Sequence, residues 1–140
     1  MQVIEDSDVA ASTTAVVSSG AALSTYGNRL VGTAFTLQNG ATLGNLGGGT
    51  GTWTGAGVIG AIPGDVVNVS STQGSLVFNG ALSGPGRLNL NGTANFVQLG
   101  GNNAGLTGDI VVASTGSLGI NQNNALGTGA LTLTGAATLD

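Results

Sequence analysis

Residues 84–139 decide the fold, because one short unit is written there three times: GRLNLNG (86–92), GDIVVASTGSL (108–118) and GALTLTGAATL (129–139). Leu88 and Leu90, Ile110 and Val112, and Leu131 and Leu133 fall on one parity, with Asn, Val or Thr between them. That period of two belongs to a strand buried on one face, and no helix can use it. A Gly and a second alternation ending on Leu follow the second and third of these strands.

Working outward, the same unit reads AVVSSGAAL (15–23), FTLQNGATL (35–43), NVSSTQGSL (68–76), IVVASTGSL (110–118) and LTLTGAATL (131–139). The closing residues Leu23, Leu43, Leu76, Leu118 and Leu139 are separated by 20, 33, 42 and 21 residues. Three of these gaps are one or two multiples of a period typical of solenoids. The expectation is an all-β chain folded as a right-handed parallel β-helix of about six to seven coils of roughly 20 residues, a single solenoid domain over 1–140. Strands of three to five residues alternate with Gly or Asn corners, where positive φ is needed. The 33-residue gap is assigned to an irregular Gly-rich loop at 44–57, and residues 1–12 to an N-terminal cap or first strand at Gln2–Ile4. GDVVNVSSTQGSL (64–76) and GDIVVASTGSL (108–118) echo one another, which places Asp65 and Asp109 at equivalent corners about two coils apart. Their two-residue difference in length leaves the inward parity around Val66, as around Phe96, unassigned.

Composition excludes several functions. The chain has 140 residues with 27 Gly, no Cys, no His, and six acids against Arg29 and Arg87. A net charge of −4 without lysine leaves no basic groove for a phosphate backbone, so nucleic acid is not expected as a partner. Absent Cys and His remove thiol chemistry, disulfides and the commonest metal ligands. Charged residues at 6% and a positive mean hydropathy argue against disorder despite the glycine. No apolar run long enough for a membrane helix occurs, and MQVIEDSDVA lacks the features of a signal peptide. The sequence is therefore read as either not exported or a mature or excised piece.

Residues 84–139 further resemble the autotransporter-associated β-strand repeat. The motif positions are Gly84, Gly86, Leu88 and Leu90; Leu99, Gly101 and Asn103; Thr107 and Gly108; Gly116, Ser117 and Leu118; and Leu126, Gly127, Gly129, Leu131 and Leu133. The family's Asn-Thr-Tyr-Thr-Gly is replaced by NAGLTG (103–108). The resemblance implies a parallel β-helix segment of a bacterial passenger domain, located extracellularly or on the bacterial cell surface, serving as a stalk, scaffold or adhesin.

Candidate chemistry is sparse. Without His, Cys or Lys, an enzyme is not expected, and no catalytic residue, cofactor or metal site is assigned. Asp65 and Asp109, two coils apart, are too widely spaced for a retaining carboxylate pair. GGGTGT (47–52) lacks the Lys and the helix of a phosphate cradle. The alternative function is a carbohydrate- or ice-binding module, with Trp53 flanked by Thr52 and Thr54 as an exposed stacking platform. Tyr26, Phe35, Phe78 and Phe96 are read as core fillers. Self-association is expected end to end, through the edges at Gln2, Val3 and Ile4 and at Leu131, Leu133 and Leu139, or else adjoining repeats cover them.

Overall fold

A computed structural model describes residues 2–3, 14–92, 96–114 and 116–140. The chain is all-β, with parallel sheets stacked as a solenoid of about six turns of about 21 residues. It visits three faces in fixed order. Face 1 carries β2 (Ala15–Val17), β5 (Phe35–Leu37), β8 (Gly57–Ile59), β11 (Leu82–Gly84) and β14 (Gly105–Leu106). Face 2 carries β1 (Gln2–Val3), β3 (Ala22–Thr25), β6 (Thr42–Asn45), β9 (Val66–Ser71), β12 (Arg87–Gly92), β15 (Ile110–Ser114) and β17 (Leu131–Leu133). Face 3 carries β4 (Arg29–Val31), β7 (Thr50–Trp53), β10 (Ser75–Phe78), β13 (Phe96–Leu99), β16 (Ser117–Ile120) and β18 (Thr138–Leu139). Among the described residues no helix is long and apolar enough to cross a membrane.

Alternation in the sequence becomes columns in the lumen. On face 2, Leu43, Val69, Leu90 and Val112 stack in register, as do Val67, Leu88 and Ile110, and all are buried. On face 3 the column is Val31, Trp53, Phe78 and Leu99. Each buried aliphatic side chain is worth about 1.5–3 kcal/mol, so these columns are the main stabilising term of the fold. The parity left open by the sequence is settled here: Val67 and Val69 point inward and Val66 is half-exposed, while Val97 and Leu99 are buried and Phe96 is half-buried.

The segment 44–57 is not an irregular loop. It holds the end of β6, the whole of β7 and the start of β8, all in regular parallel register. Its glycines alternate with bulk. Gly51 and Gly57 leave room in the lumen, Trp53 fills it, and the Phe35 ring meets Trp53 edge to face at 5.4 Å between centroids.

The extra residues lie later, at 60–65. Phe35 pairs with Gly57 and Thr42 with Asn68, so seven residues of one turn oppose eleven of the next. The next turn returns to seven, since Leu82 pairs with Gly57 and Asn89 with Asn68. The 33-residue gap has a second cause. Leu23 and Leu43 pair with each other on face 2, whereas Leu76 and Leu118 lie on face 3, so the closing leucines belong to two different columns.

Corner glycines serve two purposes rather than the one expected. Some, such as Gly20 at φ 73°, use the left-handed region. Others are needed for close approach: a β-carbon on Gly80 would overlap the Gly55 carbonyl, and one on Gly101 the Gly80 carbonyl, at the corner between faces 3 and 1.

Two buried asparagines stitch turns together from inside. The Asn45 side chain accepts from the N–H groups of Gly27 (3.2 Å) and Gly47 (3.3 Å) and donates to the carbonyls of Gly49 (3.3 Å) and Ser75 (3.2 Å). Asn103 enters the face 1 ladder itself. The N–H of Phe35 donates to Ala56 O and that of Gly57 to Ala81 O, but that of Leu82 donates to Asn103 Oδ1 at 2.7 Å. Six residues separate Leu99 from Gly105 where five separate their partners Phe78 and Ser83. The amide side chain thus substitutes for a backbone carbonyl displaced by one extra residue, and its Nδ2 donates to Ala125 O at 2.6 Å on the following turn.

Candidate functional site

Among the described residues, the largest break in the solenoid's regular outline is built at the corner between faces 1 and 2. The four additional residues of the third turn make a protruding loop, Gly60-Ala61-Ile62-Pro63-Gly64-Asp65. Asp65 closes it: Oδ2 accepts from the N–H groups of Ala61 (2.7 Å) and Ile62 (3.2 Å), and the Asp65 N–H donates to Ile62 O (3.2 Å). Both ends are anchored to neighbouring turns. Gly60 N–H donates to Leu37 O at 2.9 Å, Val66 N–H to Asn39 Oδ1 at 2.9 Å, and Arg87 N–H to Asp65 O at 2.8 Å.

Beside this loop, the two following corners complete a groove of about 330 Å3 lined by Pro63, Gly64, Val66, Pro85, Arg87, Thr107, Gly108 and Asp109. Val66 pairs with Arg87 on face 2, and because Leu88 pairs with Ile110, Arg87 and Asp109 occupy adjacent rungs. Arg87 and Asp109 are both exposed. Asp109 Oδ1 accepts from the N–H of Ala130 at 2.9 Å, and among the described residues Oδ2 has no partner. Among the described residues the Arg87 guanidinium makes no ion pair or hydrogen bond.

Asp65 and Asp109 are therefore on the same corner but not at equivalent positions. The ladder aligns Asp109 with Arg87 and Val66, one residue after Asp65. The Gly-Asp echo in the sequence is offset by one because the loop length, not the motif, sets the phase. The two carboxylates also do different work, one closing its own loop and the other tying its corner to the next turn.

Thr52, Trp53 and Thr54 do not form a platform. Trp53 lies in the lumen and is 1% exposed, its Nε1 finds no acceptor among the described residues, Thr52 is half-buried, and the exposed Thr54 donates its hydroxyl to Val31 O at 3.3 Å. Period-two alternation decides this: Gly51, Trp53 and Gly55 share the buried parity, so Trp53 points away from solvent while its neighbours face it. The row that holds Thr52 reads Leu30, Thr52, Val77, Gln98 across four turns, so it is not a threonine ladder. Phe35 and Phe78 fill the core, whereas Tyr26 is exposed at the corner between faces 2 and 3, its ring beside Gly47.

The candidate association edges fall at opposite ends. Gln2 and Val3 form β1 against Ser24 and Thr25, and Ile4 lies outside the described residues. Leu131 and Leu133 form β17 and Leu139 lies in β18.

Sequence reasoning missed the groove, although its signals were present. Pro63 and Pro85, the only prolines, are 22 residues apart, about one turn, and the interval between the strands of faces 1 and 2 lengthens only around the first of them. No family model, curated protein or solved structure matches the chain.

Proposed function

We propose that this chain is a non-catalytic, extracellular structural β-solenoid, an autotransporter-passenger-like stalk, scaffold or adhesin segment that stacks end to end into fibres. One observation carries the reading. Leu133 and Leu139, 42% and 46% exposed, sit in register with Val112 and Leu118, which are buried at 1% and 0%. They continue the core columns of faces 2 and 3, so a second copy or an adjoining repeat would cover them with a further layer. Strands β17 and β18 likewise present ladder groups on their outer edges, and such edges pair readily with another chain. A heterologous contact of this kind propagates rather than closes. The resemblance of residues 84–139 to passenger repeats supports placing the stalk outside a bacterial cell.

Sedimentation velocity and negative-stain electron microscopy over rising protein concentration test the proposal. Concentration-dependent rods in the parent, shortened in Leu133→Lys and Leu139→Lys, are the expected result. Compact monomers at every concentration overturn the stacking.

A further inference from the structure

We propose that the groove at the corner between faces 1 and 2 is a binding site for a neutral saccharide unit, held by Arg87 and Asp109 between the rings of Pro63 and Pro85. The site stands independently of the scaffold reading. Its construction is local: among the described residues the loop at 60–65 is the one place where a turn lengthens by four residues, and the result is a wall beside Pro85 and Arg87. A regular corner would leave that side open.

The polar groups set the ligand's chemistry. Arg87 and Asp109 stand on adjacent rungs and line one groove, yet form no ion pair with each other. A guanidinium offers only donors and a carboxylate only acceptors. A ligand that satisfies both must accept from one and donate to the other within a short span, as vicinal hydroxyls do. The two charges cancel, so neither an anion nor a cation is favoured, and an exposed ion pair in water contributes little. A sugar ring gains in a second way, because its C–H surface can cover the apolar pyrrolidine rings. The volume of about 330 Å3 lies at the lower end of small-molecule sites, suited to one or two rings. Asp65, whose Oδ2 holds its own loop amides, does not line the groove and takes no part.

The test is a titration of the full 15N-labelled chain, followed by amide chemical shifts, with methyl β-glucoside, methyl β-galactoside and N-acetylglucosamine. Parallel arms use sodium galacturonate and serine. At least one neutral sugar is expected to give saturable shifts confined to Gly64, Val66, Arg87, Gly108 and Asp109. Arg87→Gln and Asp109→Asn, which retain hydrogen-bonding side chains, should each weaken binding roughly tenfold, the loss of one charge-assisted hydrogen bond. The other amide shifts should stay in place, showing that the variants fold. Absence of saturable shifts with all three neutral sugars overturns the proposal. So does saturation only by galacturonate or serine, or neutral-sugar binding that both variants leave intact.

Discussion

The phenyl ring of Phe35 occupies the space that a β-carbon on Gly57, its ladder partner one turn on, would need. Bulk on one turn is matched by its absence on the next, and Trp53 and Phe78 pack against the same ring at centroid distances of 5.4 and 6.3 Å. Gly57→Ala should therefore destabilise by about 1–3 kcal/mol through overpacking, although Gly57 is not among the positive-φ glycines. Adding Phe35→Leu should recover part of that loss, giving a coupling on the order of 1 kcal/mol in a double-mutant cycle by urea denaturation. Strict additivity would mean that the two side-chain positions do not share one space.

Trp53 is the sole tryptophan and reports directly on the lumen. Its emission should be blue-shifted and shielded from acrylamide in the folded chain, and become quenchable in denaturant. Quenching as efficient as that of a free indole in the native state would contradict the buried placement. Trp53→Ala should cost about 3–5 kcal/mol.

Two glycine substitutions separate the two roles of corner glycines. Gly20, at φ 73° with open space around its missing β-carbon, should lose about 1 kcal/mol on change to Ala, the cost of a left-handed L-residue. Gly80→Ala places a methyl group on the Gly55 carbonyl and should lose about 3 kcal/mol or fail to fold. Equal melting temperatures for the two variants would remove the close-approach argument.

Asn103→Ala leaves the Leu82 N–H and the Ala125 carbonyl without their side-chain partner and should cost about 1–3 kcal/mol for each group left unsatisfied. Asn103→Asp gives a signed pH dependence. Burial raises the folded-state carboxyl pKa above its unfolded value, so the acid form, which can still accept from Leu82 and donate to Ala125, is the tolerated one. The variant's stability should match the parent most closely below the unfolded aspartate pKa of about 4, and fall as the pH rises through the higher folded value. Thermal melts at a series of pH values check this, and a deficit that does not depend on pH would exclude burial of the new carboxyl.

What was legible in the sequence was whatever a strand writes locally. Leu88 with Leu90, and Ile110 with Val112, were placed on one buried side by parity alone, and the structure stacks them as in-register columns. Phe35 and Phe78 were likewise read as core. Tyr26 was not distinguishable from them, because it sits on a corner where alternation stops. Trp53 was misplaced by its Gly- and Thr-rich surroundings, which look like a loop until each small residue is seen opposite a large one on the neighbouring turn.

The sequence by itself determined a coiled, parallel all-β architecture with a period near 20 residues, since alternation, small turn residues and repetition are all contained within a few consecutive positions. Only the tertiary structure decided which residues meet. Each side chain's neighbour lies one turn away, at a distance along the chain that ranges from 20 residues for Ala22 and Thr42 to 26 for Thr42 and Asn68. A few residues added at one corner therefore shift the pairing of that turn with its neighbours. That dependence on summed loop lengths moved Asp109 opposite Arg87, brought Pro63 beside Pro85, and made Asn103 part of the ladder.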